Sequence, residues 1–202
     1  QALSEDLERI IDAGLVWKTG SGASALYVFK HALVRDAAYE SLLRRTRQAC
    51  HARIAAVLQE HFPDIAAEQP ELIAHHLSGA GNDEQAIEFW RKAGQRALAR
   101  TAMREAAVHF QRAIGSVSRL PEESRWLECE LDLQNEIAPV LMTVQGWGAN
   151  DVRHACERAR ELATRLSRFD KIYPPVWGLW TYYFLRGEMD EAATTAKAVL
   201  AM

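Results

Sequence analysis

Trp90-Arg91-Lys92-Ala93-Gly94-Gln95-Arg96-Ala97, followed by Ala106-Ala107-Val108-His109-Phe110-Gln111-Arg112-Ala113, is the stretch that decides the fold. Each run places small residues three or four apart, on one face of a helix, and each carries one large ring on that face. Small residues let two antiparallel helices approach closely, and the ring fills the gap their crossing leaves. One such pair buries only part of its apolar surface. Neighbouring pairs must stack to complete the core.

The spacing recurs along the chain, as Ala86, Trp90, Ala93, then Ala106, Phe110, Ala113, and more weakly Ala192, Ala196, Val199. A Trp near the start of one helix, a Gly four residues on, and Ala-x3-Phe-x2-Ala in the next helix is the tetratricopeptide pattern. Its phase stays open, because Ala86 to Leu98 suits either the second helix of one unit or the first of the next. Beyond Pro121, helices are predicted over Trp126–Met142 and Val152–Leu166, joined through Gly146-Trp147-Gly148. Another pair, Val176–Leu185 and Glu188–Met202, turns at Arg186-Gly187. Residues 63–202 are therefore expected to form a tetratricopeptide-like α-solenoid of antiparallel helix pairs.

Residues 1–62 follow a different plan. Leu3, Leu7, Ile10, Ile11 and Leu15 fall at helical spacing, and Gly14 is a natural stop. Leu15-Val16-Trp17-Lys18 and Ala25-Leu26-Tyr27-Val28-Phe29 then flank a Gly/Ser-rich turn, which predicts a hairpin. A helix followed by a two-stranded wing is the closing half of a winged helix. Its helix carries Glu5, Asp6, Glu8 and Asp12 against Arg9, so it would repel phosphates rather than read DNA. Gly20 and Gly22 precede a strand and lack the closing lysine of a phosphate-binding loop. From His31 to about Phe62 one long helix is expected, with apolar positions at Leu33, Ala37, Leu42, Leu43, Ile54, Val57 and Leu58, and Pro63 ends it. Arg44, Arg45, Arg47 and Arg53 cluster on it; a solvated face is the ordinary reading, and a docking patch for an acidic protein surface is the functional one.

Composition narrows the functional classes. The 202 residues are 49% hydrophobic with a formal net charge of −3, enough apolar content for a core and too little positive charge for coating nucleic acid or an anionic membrane. No apolar run nears the roughly 20 residues of a bilayer span, and no signal-peptide pattern opens the chain. Cys50, Cys129 and Cys156 are too dispersed for a disulfide scaffold or a zinc site; they fit a cytoplasmic location and are expected to be small buried residues. The chain opens on Gln1, directly into a helical pattern, and is expected to be a piece of a larger protein.

Phe29-Lys30-His31-Ala32-Leu33-Val34-Arg35-Asp36-Ala37-Ala38-Tyr39-Glu40-Ser41-Leu42-Leu43 resembles the stretch just after the winged helix in large bacterial signal-transduction P-loop ATPases. These often carry a class III adenylate/guanylate cyclase domain at the N-terminus and a tetratricopeptide region behind the ATPase. Ala74-His75-His76-Leu77 with Ala80-Gly81, and Val176-Trp177-Gly178-Leu179-Trp180 through Arg186-Gly187-Glu188, are similar to later parts of that family. The resemblance covers nearly the whole chain. It implies a position after the ATPase core, as a coupling and partner-binding region. The cyclase metal ligands and the P-loop lysine have no counterpart, so neither activity carries over.

No residue pattern supports catalysis, and neither a cofactor nor a metal is expected. His75 and His76 are adjacent and point to different sides of a helix, where a metal would want a spacing of three or four; one buried and one exposed is expected. His31 and His51 lie far apart. In the aromatic stretch from Tyr173 to Phe184, Trp177, Trp180 and Phe184 share a face and are expected to be core. Tyr182 and Tyr183 fall outside that stripe and are candidates for contacting a partner. Ala192, Ala193, Ala196, Val199 and Leu200 form an apolar stripe near the end, which predicts self-association through the C-terminal helices. Two readings follow: a protein-interaction and regulatory module with no affinity for nucleic acid, or part of a transcriptional regulator whose winged piece meets DNA by another surface.

Overall fold

The computed structural model describes residues 2–22 and 25–200, with backbone alone for Ala2, Leu3, Val199 and Leu200. The chain is mostly helical with one small antiparallel sheet. It divides into two compact units, residues 1–50 and 51–202.

In the first unit, α1 (Ala2–Asp12) leads through a turn into β1 (Val16–Thr19), which pairs with β2 (Leu26–Phe29) so that Val16 faces Phe29 and Thr19 faces Leu26. The β-branched and aromatic runs thus form the expected hairpin. Ala23 and Ser24 of its turn lie outside the described residues. The expected long helix is interrupted: α2 (Ala32–Ser41) ends where Leu42 turns extended, and α3 (Arg44–His61) starts afresh. Leu42 and Leu43 are both exposed, so no buried face holds a continuous helix across them. Val16, 3% exposed, is buried, whereas Trp17, Leu26, Leu33 and Leu43 are exposed.

The division between the units falls inside α3, between Cys50 and His51. Helix α3 ends at His61, just before Phe62 and Pro63. Ala55 of α3 already belongs to the core of the second unit, with Ile73, Ala74 and Leu77.

The second unit continues with α4 (Pro63–Glu68), α5 (Pro70–Ala80), α6 (Asp83–Ala99), α7 (Met103–Val117), α8 (Ser124–Gln145), α9 (Asn150–Arg165), a short 3-10 turn (Phe169–Lys171), α10 (Tyr173–Arg186) and α11 (Met189–Leu200). From α5 onward each helix packs chiefly on its neighbours in sequence. The double phase of Ala86–Leu98 has a simple origin: α6 packs on both α5 and α7. Ala86, Trp90, Ala93 and Ala97 of α6 and Ala106, Phe110 and Ala113 of α7 are all buried. Gly94 is there because a Cβ would lie 2.7 Å from the Phe110 ring. Trp90 donates its indole N–H to Ser78 Oγ at 2.9 Å and stacks on His109. Between helices, Arg91 of α6 pairs with Glu136 of α8, and Arg158 of α9 grips both oxygens of Glu130 at 2.8 Å. A two-point guanidinium–carboxylate contact fixes orientation as well as distance.

Only part of the cysteine expectation is met. Cys156 is buried and Cys129 half-buried, but Cys50 is exposed. Burial pushes the Cys156 thiol up to about 12. Among the described residues no helix is long and apolar enough to cross a membrane.

Candidate partner-docking surface

Helix α10 begins on Tyr173-Pro174-Pro175, prolines that fit a first turn because their missing N–H groups would be unpaired there anyway. Its approach to the rest of the unit is set at Gly178, where a Cβ would meet Cys156 Sγ at 2.6 Å and Met142 Cε at 3.0 Å. That close contact decides which face turns inward. The buried row is Pro175, Val176, Leu179 and Tyr182.

The aromatic assignment made from sequence is therefore reversed. Trp177, 43% exposed, and Phe184 face solvent rather than the core, as does Tyr173, while Trp180 is half-buried and stacks on Phe184 with centroids 5.3 Å apart. Tyr182, expected outside, is 3% exposed. Its hydroxyl donates to Asn150 Oδ1 at 3.0 Å, and the Arg153 and Arg186 guanidiniums lie 5.9 and 5.3 Å from its ring. That is a structural tie between α10 and the start of α9. Tyr183 is half-buried, with its hydroxyl 3.5 Å from Glu157 Oε1. Burial, and then the Glu157 charge, raise its phenol above the usual value. It borders a shallow hollow of about 260 Å³ with Arg160, Asp190 and Thr194.

The exposed row gains one member that the sequence did not suggest. Trp147, in the α8–α9 connection, meets Trp177 edge-on at 5.1 Å, an arrangement in which the ring edge of one faces the π-cloud of the other. Tyr173, Trp177, Trp147 and Phe184 are all exposed aromatics borne by α10 or its neighbour loop. Flat rings of this kind can gain binding energy by being buried against another surface.

Of the arginine cluster, Arg44, Arg45 and Arg47 belong to the first unit and Arg53 to the second. Arg44 and Arg45, in the first turn of α3, are exposed, and Arg47 is half-buried with its guanidinium 5.1 Å from the centre of the Tyr39 ring on α2. Arg47 therefore stands partly committed to its own unit. Arg44 and Arg45 form no ion pair among the described residues.

The histidines hold a contact that spacing alone could not reveal. His51 Nδ1 lies 2.9 Å from His76 Nδ1, joining α3 to α5, and the ring of exposed His75 is 5.6 Å from that of His51. His76 is half-buried rather than fully buried. Burial first, then histidine neighbours, holds both His51 and His76 below the ordinary imidazole range. Among the described residues no group of three or more His, Cys, Asp or Glu is placed to hold a metal ion.

At the chain's end, Ala192 and Thr195 are buried and Ala193 is exposed, so Thr195 replaces Ala193 in the inward stripe. Its hydroxyl is satisfied by the Glu191 carbonyl at 2.8 Å. The Val199 and Leu200 side chains, on which the expected end stripe also rests, lie outside the described residues, as do Ala201 and Met202.

No protein-family profile matches the chain. It is similar to an uncharacterized protein of Rhizobium meliloti (strain 1021), 25% identical over 181 residues. That alignment takes in 89% of the chain and 18% of the relative, so the chain spans less than a fifth of the length of the curated relative it matches. Among solved structures it is similar to BtubC (BKLC) from P. vanneervenii, with a TM-score of 0.35 and 15% identity, covering 77% of this chain and 71% of that one.

Proposed function

We propose that the chain is a non-catalytic regulatory and protein-interaction module of a larger signalling ATPase- or cyclase-type protein. In this reading a winged-helix-like piece and a tetratricopeptide-like solenoid couple partner binding to an upstream ATPase core. The observation that carries the reading is the exposed aromatic row of α10 with Trp147. Tryptophan and tyrosine dominate the energetic centres of protein interfaces, and clustered exposed rings are uncommon on a surface with no partner.

Two further features support it. The sequential packing of α5 to α11 is what a stacked helical repeat requires. The first unit leaves Trp17, Leu26, Leu33 and Leu43 exposed, apolar surface that a neighbouring protein domain would cover. Arg44 and Arg45, exposed beside that surface in sequence, would meet acidic groups there.

ATP turnover by the full-length protein tests the proposal. The double substitution Trp177→Ala and Phe184→Ala is expected to change the turnover or its response to a partner while the melting profile stays that of the wild type. Turnover and response identical to wild type would remove the aromatic row from any coupling role.

A further inference from the structure

We infer that His51, His75 and His76 form an acid-sensitive latch within the second unit. The bond between His51 and His76 holds residues 51–61 of α3 on α5, and protonation of both rings releases them while α6 to α8 stay folded. His51 is the first residue of that unit, so the latch acts where the chain enters it. It shares no residue with the aromatic row of α10, and it stands whether or not that row has a partner.

Helix α3 has few other holds on the unit. Its buried residues are His51 and Ala55, with Leu58 half-buried, whereas Ile54 and Val57 are exposed. Alanine carries little apolar surface, so His51 is the one large side chain that α3 buries. Its ring lies directly over Gly79 of α5, where a Cβ would come within 2.7 Å of its Cγ and Nδ1. From there Nδ1 reaches His76 Nδ1 at 2.9 Å. The His75 ring completes a triangle, its centroid 5.6 Å from that of His51 and 5.3 Å from that of His76. By contrast, α6 packs on α5 with Trp90 buried and bonded to Ser78.

Two imidazoles can meet nitrogen to nitrogen only if one donates and the other accepts, and opposite neutral tautomers supply both roles. A first proton leaves the bond in place, because a protonated ring still donates to a neutral one and does so more strongly. The second proton removes the acceptor. It sets two N–H groups and two positive charges against each other across 2.9 Å. A proton on His75 adds a third like charge to the triangle. The pair thus titrates as a unit in two steps, and the second step opens it. Burial comes first in holding both rings below the ordinary range; His75 then acts on His51, and His51 and His75 act on His76. No charge borne by α4 or α6, which pack on α5, contributes to this lowering, nor do Arg47 and Arg53 of α3 or Glu71 of α5.

The test is hydrogen–deuterium exchange of the 202-residue chain, corrected for the intrinsic rate at each pH, from about pH 7.5 to about pH 4.5, through and below the ordinary histidine value. An undocked helix as short as the 18 residues of α3 is marginal in water, so release shows as lost protection. Residues 51–61 are expected to lose at least about tenfold in protection on acidification, as the loss of one hydrogen bond to a charged group implies. Helices α6 to α8 are expected to keep theirs. His76→Asn places an amide oxygen where Nδ1 stood, and that oxygen accepts from His51 whether or not His51 is charged. It is expected to abolish the acid-induced loss. His51→Asn does the same from the other side, and either variant that keeps the fold decides. A loss in a folded Asn variant equal to that of the wild type would overturn the inference. So would undiminished protection of residues 51–61 at the lowest pH, or α6 to α8 losing protection in step with them.

Discussion

Substituting Gly94 by Ala tests the helix contact on which the fold turns. The added methyl would stand 2.7 Å from Phe110 Cε1 and 2.8 Å from Cζ, well inside ordinary contact, and Phe110 is fully buried. Overpacking of this kind costs about 1–3 kcal/mol. Exchanging a mid-helix glycine for alanine returns about 0.5–1 kcal/mol of backbone entropy. The net expectation is a loss of about 1 kcal/mol, or a melting point lower by about 2–4 °C for a chain of this size. Phe110→Leu alone should cost about 1–2 kcal/mol through the lost ring atoms. It also clears the space that the methyl added by Gly94→Ala needs. The double variant should therefore be less destabilised than the sum of the singles by at least about 1 kcal/mol. Urea unfolding followed by far-ultraviolet circular dichroism supplies all four corners of the cycle. Strict additivity would show that Gly94 and Phe110 are not in the contact described.

Two other outcomes follow from the same contacts. His51 and His76 are held below the ordinary histidine value of about 6.5, so the unfolded chain takes up their protons at higher pH than the folded one. Their contribution to stability is fully present above about pH 6.5 and falls as pH drops toward the folded values; His76→Leu should flatten this part of a melting-point-versus-pH curve, and an unaltered curve would contradict it. Tyr182→Ala should cost about 3–5 kcal/mol as a buried aromatic, and Trp177→Ala less than half of that; thermal melts giving the reverse order would restore Tyr182 to the surface.

The helix pairs were legible because their signal is local. Ala93, Gly94 and Ala97 declare a close approach within two turns, and Phe110 declares what fills it. The hairpin was legible for the same reason, since β-branched and aromatic residues flank a glycine-rich turn. The faces of α10 were not. Trp177, Trp180 and Phe184 have the spacing of a core stripe, but Val176, Leu179 and Tyr182 have it as well. The choice between the two rows depends on the approach of α10 to Cys156 and Met142 at Gly178, which no periodicity encodes. The break at Leu42 was hidden likewise, because helical spacing continues across it and only exposure tells the two segments apart. His51 and His76 meet across two helices, and Trp147 reaches Trp177 from a connecting loop. Contacts of that kind arise from packing and leave no trace in spacing.

On the proposed reading, in which the chain is one module of a larger protein, calorimetric titration of the purified 202-residue chain into the remainder of that protein tests the central claim most directly. The account predicts saturable binding that Trp177→Ala with Phe184→Ala weakens at least tenfold, the signature of an aromatic hot spot. Binding of unchanged strength in that double variant, or no binding by a folded wild-type chain, would contradict the claim that it works by holding protein surfaces.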